Sequence, residues 1–218
     1  LSVSSGGSLL LTSCTVTGAA LSVAGTLAVT GATTSNLGAL SLGSGVTFSG
    51  ITLSVSGLTA LASSTTLSLK SGATLSLLGG YTAASSTSVI SITGASTSLA
   101  FGNGGTASIG TLVVTNGGTV TSDTATTVAL TGSSAIDVDS NSVVAFSGPV
   151  SVAGTATLSN PSSGTASITG ASGTLNLNSH TLKIPSGTIE VSGGATVTGS
   201  SGTVSITGGT LALLNTPA

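Results

Sequence analysis

Only eight side chains in this sequence of 218 residues are charged, imidazole or thiol groups: Lys70, Lys183, Asp123, Asp137, Asp139, Glu190, His180 and Cys14. Asp137-x-Asp139-x-Asn141 sets three oxygen-bearing side chains at alternate positions, as the opening of a calcium loop does. Such a loop then wants Gly at its sixth position and Glu at its twelfth, where this chain has Ser142 and Gly148. The three residues would share the outer face of a strand, so a solubilising polar face is the expected role, with calcium as the candidate metal. No other cofactor is expected.

His180, Lys183 and Glu190 lie within eleven residues and are the one candidate set for acid–base work. Adjacent Ser179 and His180 would point to opposite faces of a strand and could not act as a nucleophile–base pair. A second carboxylate is missing, so the chain is expected not to be an enzyme. Gly102-x-Gly104-x-x-Ala107 matches a dinucleotide fingerprint in letters only, because no helical pattern follows it. A turn is expected there. Cys14 and Val16 share one side of an extended segment, which predicts a packed thiol. Thr-x-Thr pairs (Thr15/Thr17, Thr119/Thr121, Thr155/Thr157, Thr196/Thr198) raise an ice- or carbohydrate-binding face, but Ser and Thr mix along the chain without visible order. Outward β-formers are the simpler expectation. The many hydroxyls could carry O-glycans, while Asn160-Pro161-Ser162 is excluded as an N-glycosylation site by its proline.

The elements that must carry these groups are written in an unusual alphabet. Serine, threonine and glycine make up more than half the chain, charged residues 3% and aromatics 2%, with a formal net charge of -2. Two isolated lysines cannot neutralise a phosphate backbone, which excludes nucleic acid as a partner. Apolar runs stop at three or four residues, far short of the roughly 18 to 20 that a spanning helix needs. Four aromatic residues do not make the girdles of a membrane barrel. The first residue is Leu and no Met occurs, which suggests a processed or excised segment.

Apolar residues come in pairs two apart: Leu27/Val29, Leu67/Leu69, Ile90/Ile92, Leu112/Val114, Leu182/Ile184, Val204/Ile206. That is the strand period, with one face buried and the other lined by hydroxyls. The pairs recur every 6 to 9 residues between Gly, Ser-Gly or Asn. Gly94, Gly132, Gly170 and Gly208 stand 38 residues apart with similar flanks, and Gly57 and Gly18 continue the series backwards. From Leu175 onward three successive pairs repeat at 22. The expectation is an all-β parallel β-solenoid of short strands, about three per coil, in one domain spanning 1–218, either whole or an excerpt of a longer solenoid. Asn141, Asn160 and Asn178 could stack as a ladder at one corner. The structural competitor is an antiparallel sandwich, since Asn103-Gly104 and Asn116-Gly117 are good hairpin turns.

Runs such as Gly25-Thr26-Leu27-Ala28-Val29-Thr30-Gly31 and Gly187-Thr188-Ile189-Glu190-Val191-Ser192-Gly193 resemble the repeat units of bacterial surface β-solenoids. These include filamentous haemagglutinin-like adhesins and autotransporter passenger repeats. The resemblance is one of pattern and composition over most of the chain. It implies an extracellular or cell-surface solenoid and carries no catalytic residue over.

All six charged residues fall between Lys70 and Glu190. The ends instead carry Leu9, Leu10 and Leu11, and Leu211, Leu213 and Leu214, with only Pro217 beyond. Natural solenoids protect their end coils with charge, proline or a cap. The chain is therefore expected either to be part of a longer solenoid or to stack head-to-tail on copies of itself. The latter makes it the subunit of an extracellular filament. The alternative is an adhesin stalk whose Ser/Thr-rich face binds glycans or ice.

Overall fold

A computed structural model describes residues 1–13, 15–18, 20–30, 34–139, 141–159, 165–169, 174–177, 179–193, 195–199 and 201–214. Its local rule is visible in one strand. In Thr66–Lys70 the alternation Thr-Leu-Ser-Leu-Lys turns Leu67 and Leu69 inward and leaves Thr66, Ser68 and Lys70 outside. The next coil repeats the pattern one layer up, with Ile90 over Leu67 and Ile92 over Leu69. The previous coil sets Val46 and Phe48 beneath the same two leucines.

Each coil has three such strands, so the expected triangular solenoid is what forms. Thr59–Leu61 lies on face I, Thr66–Lys70 on face II and Thr74–Leu77 on face III. Tyr81–Ala83 then returns to face I directly above Thr59–Leu61. Every pairing among the described strands is parallel, which excludes the antiparallel sandwich. The strands stack in about nine turns, each about 22 residues on, and there is no helix among the described residues. At about 4.8 Å per coil, nine steps make a rod about 43 Å long.

Coil length is not constant. Leu21, Leu40 and Thr59 follow at steps of 19, whereas Tyr81 to Ala107 takes 26. Extra residues are absorbed at the corners and tied back to the coil below. The Ser88 hydroxyl donates to the Ala62 carbonyl (2.9 Å), the Thr111 hydroxyl to Ser86 (2.8 Å) and the Ser134 hydroxyl to Ile109 (2.7 Å). Asn103-Gly104 and Asn116-Gly117 do adopt the paired positive φ of a hairpin turn (67° and 75°; 56° and 85°). Here the same geometry bends the chain from one face to the next. Two strands, Thr106–Thr115 and Thr127–Val138, run through the corner from face I to face II, with a register shift between Ile109 and Thr111.

The interior is one continuous apolar column of Leu, Val, Ile and Ala, with Phe48, Tyr81, Phe101 and Phe146 as its large members. Each fully buried Leu, Ile, Val or Phe contributes roughly 1.5–3 kcal/mol of transfer free energy. Close stacking at corners dictates glycine: a Cβ on Gly110 would sit 2.6 Å from the Ser88 carbonyl oxygen.

The 38-residue series is not the coil. Gly94 follows a strand of face II, Gly132 stands where face I gives way to face II, and Gly208 again follows face II. Gly170 lies outside the described residues, just after the face III strand Thr165–Thr169. Thirty-eight residues hold five strands, which is one and two-thirds turns.

Candidate functional surfaces

The carboxylates are corner residues before they are anything else. The Asp123 carboxylate accepts the backbone N–H of Asn103 in the coil below (2.7 Å) and those of Thr126 (2.7 Å) and Ala125 (3.2 Å) in its own corner. Asp139 repeats the device, accepting from the N–H of Asn116 below (2.6 Å) and of Asn141 (3.2 Å). The Thr126 hydroxyl beside Asp123, together with these N–H groups, holds its carboxyl below the usual carboxylate range against partial desolvation. The Ser142 hydroxyl and the Asn116 N–H do the same for Asp139. Each carboxylate thus neutralises donors that a left-handed corner leaves pointing outward. Both oxygens of Asp139 already face N–H donors, an environment suited to an anion's partners rather than to a cation. Asp137 stands on face II in register with Val113 and Ser159. Among the described residues no three His, Cys, Asp or Glu side chains come together.

The acid–base candidates are dispersed. Ser179 and His180 are exposed corner residues, Ser179 with φ 64°, and not the strand pair expected. Lys183 points outward on face II and Glu190 on face III, where the Ser192 hydroxyl donates to it (2.9 Å). Gly102 to Gly105 form the corner from face III to face I, a turn as the sequence predicts. Cys14, Asn160 and Asn178 lie outside the described residues, as does Pro217.

One ordered surface was invisible in the sequence. On face III the outward position that opens each strand forms a vertical column of Thr52, Thr74, Thr119, Thr165, Thr188 and Thr210. Ser98 sits between Thr74 and Thr119, its hydroxyl donating to that of Thr74 (3.3 Å), and Val143 sits between Thr119 and Thr165. The neighbouring outward column is small throughout its middle: Ser54, Ser76, Ala100, Thr121, Ala145 and Ser167. Of the Thr-x-Thr pairs conspicuous in the sequence, Thr119/Thr121 spans both columns and Thr17 continues the second through Asn36, whereas Thr157 is on face II and Thr196/Thr198 on face I. Successive members of the true column stand 21 to 24 residues apart, so no fixed period finds them. Thr52, Thr74, Thr165 and Thr210 each open a quartet Thr-apolar-small-apolar, but so does Thr66 on face II, so the letters alone do not mark the face.

The end coils differ from the middle. In the last described coil two positions are open, Ile206 at 49% and Leu213 at 63% exposure, against 0% for Ile184 and 3% for Val191 directly beneath. Leu211 is partly buried against the core and Leu214 is exposed. A cleft of about 220 Å³ opens there, lined by Val191, Ala195, Val197, Leu213 and Leu214. In the first coil Leu9 and Leu11 face inward, partly buried, while Leu10 points outward on face II. No family model, curated protein or solved structure matches the chain.

Proposed function

We propose that this chain is a non-enzymatic structural element of an extracellular fibre, built by stacking one solenoid on the next through their end coils. The observation that carries the reading is the exposure of Ile206 and Leu213 at positions that are sealed one coil below. An uncovered coil also leaves a row of unpaired backbone donors and acceptors on each of its three edges. Coverage by the first coil of a second molecule would continue all three faces in parallel register. Because that contact is heterologous and does not close, it propagates. A formal net charge of -2 opposes association only weakly. The resemblance to surface β-solenoids supports an extracellular setting, and the outward hydroxyls are available to O-glycans.

The test is electron microscopy and sedimentation velocity of the purified 218-residue chain. Filaments of uniform width are expected, with a fibre-diffraction repeat of about 4.8 Å along their axis. Replacing Ile206→Lys together with Leu213→Lys is expected to give short monodisperse rods with unchanged β-sheet circular dichroism. Monomeric rods from the unmodified chain at high concentration, or undiminished filaments from the variant, would sink the proposal.

A further inference from the structure

We infer that face III is an ice-binding surface, with the threonine column and its small neighbouring column as the contact. The geometry is set by the backbone. Successive coils repeat at about 4.8 Å, and outward positions two apart on one strand are about 6.7 Å apart, so the two columns form a two-dimensional lattice. Threonine suits such a lattice, because its branched Cβ restricts χ1 and fixes a hydroxyl and a methyl in each cell. The two interruptions keep half of that identity, Ser98 the hydroxyl and Val143 the branched shape.

The order belongs to this face. The corresponding column on face II reads Thr66, Val89, Thr111, Ala135, Thr157, Lys183, and its register shifts at Thr157/Ser159. Face I carries Ser41, Ala60, Thr82, Ser108, Ala129 and Ser151. On face III the pairing runs from Thr52 to Thr210 without a shift, although the intervening corners differ in length. A repeating surface gains nothing from a disordered liquid; it gains from a partner that repeats with it.

Charge and aromatic content choose the partner. Between Thr52 and Ser167 the two columns hold no ionisable side chain, and Glu190 enters only near one end. A neutral lattice meets neutral ordered water without the cost of stripping hydration from a charge. Sugar rings would want an aromatic platform, and Phe48, Tyr81, Phe101 and Phe146, the four aromatics of the chain, all point into the core.

The experiment measures thermal hysteresis and uptake into a growing ice front for the 218-residue chain, with Thr74→Tyr and Thr119→Tyr on face III and Thr82→Tyr on face I as control. Circular dichroism and melting temperature verify that each variant folds. Ice uptake by the parent and the control, with its loss in both face III variants, is the expected result. Absence of uptake by the folded parent overturns the inference, as does equal loss in the control or full retention in the face III variants. Binding to crystalline cellulose without ice uptake overturns it in favour of a polysaccharide surface. The result is independent of the fibre proposal, since rods and filaments alike expose face III.

Discussion

Tyr81 and Thr59 occupy facing positions in adjacent coils of face I, and both hydroxyl oxygens are buried without a hydrogen-bond partner. Leaving a buried hydroxyl unpaired costs roughly 1–3 kcal/mol. The ring itself is well used, packing 5.8 Å from Phe101 at 46°. Tyr81→Phe should therefore keep the packing and raise stability by about 1 kcal/mol, read by denaturant unfolding. The same burial pushes the Tyr81 phenol above its ordinary value. A raised folded pKa means a contribution fully present below the unfolded value of about 10 and lost as pH rises past it. With one tyrosine in the chain, tyrosinate absorbance should stay silent until alkaline unfolding, and the phenylalanine variant should lose that part of the alkaline decline. A tyrosine that titrates normally in the folded protein would contradict the buried placement.

At the scale of the strand, much could be read from the letters alone. The pairs Leu67/Leu69 and Ile90/Ile92 face inward because a two-residue period and a strand pleat are the same fact seen twice. The number of strands per coil was also within reach, from the 22-residue repeat after Leu175. The corners were not. Their lengths vary, and Asn103-Gly104 has the dihedral preferences of a hairpin; only stacking partners decide that it turns a coil instead. Asp139 drew notice as part of the calcium candidate because charge is rare here; in the fold it and Asp123 each serve N–H groups of their own corner and of the coil below. The face III column escaped because it pairs Thr with Ser or Ala at uneven intervals. Corner glycines give the test at this scale. A Cβ on Gly148 would stand 2.8 Å from the Asp123 carbonyl oxygen and would also strike the Thr126 carbonyl. Gly148→Ala should cost about 1–3 kcal/mol by overpacking, measured by thermal unfolding; an unchanged melting temperature would show that the corner gives way.

Across the whole molecule, each coil touches chiefly the coils above and below, so stability is close to a sum of coil and interface terms. Leu75, fully buried in the fourth coil, is in register with Leu53 below and Leu99 above. Leu75→Ala should cost about 2–5 kcal/mol. Hydrogen exchange should show the lost protection concentrated in those neighbouring coils, not spread evenly to Thr203–Ile206; even spreading would mark one cooperative unit. The 38-residue glycine series has a bearing on descent. If that segment multiplied by duplication, each copy of five strands landed two-thirds of a turn out of phase with its parent. Any mark carried by the ancestral segment would have been dealt to all three sides in rotation, as a spiral stripe. A column confined to one side cannot be inherited that way: it would have been written afterwards, position by position, across copies that did not share it.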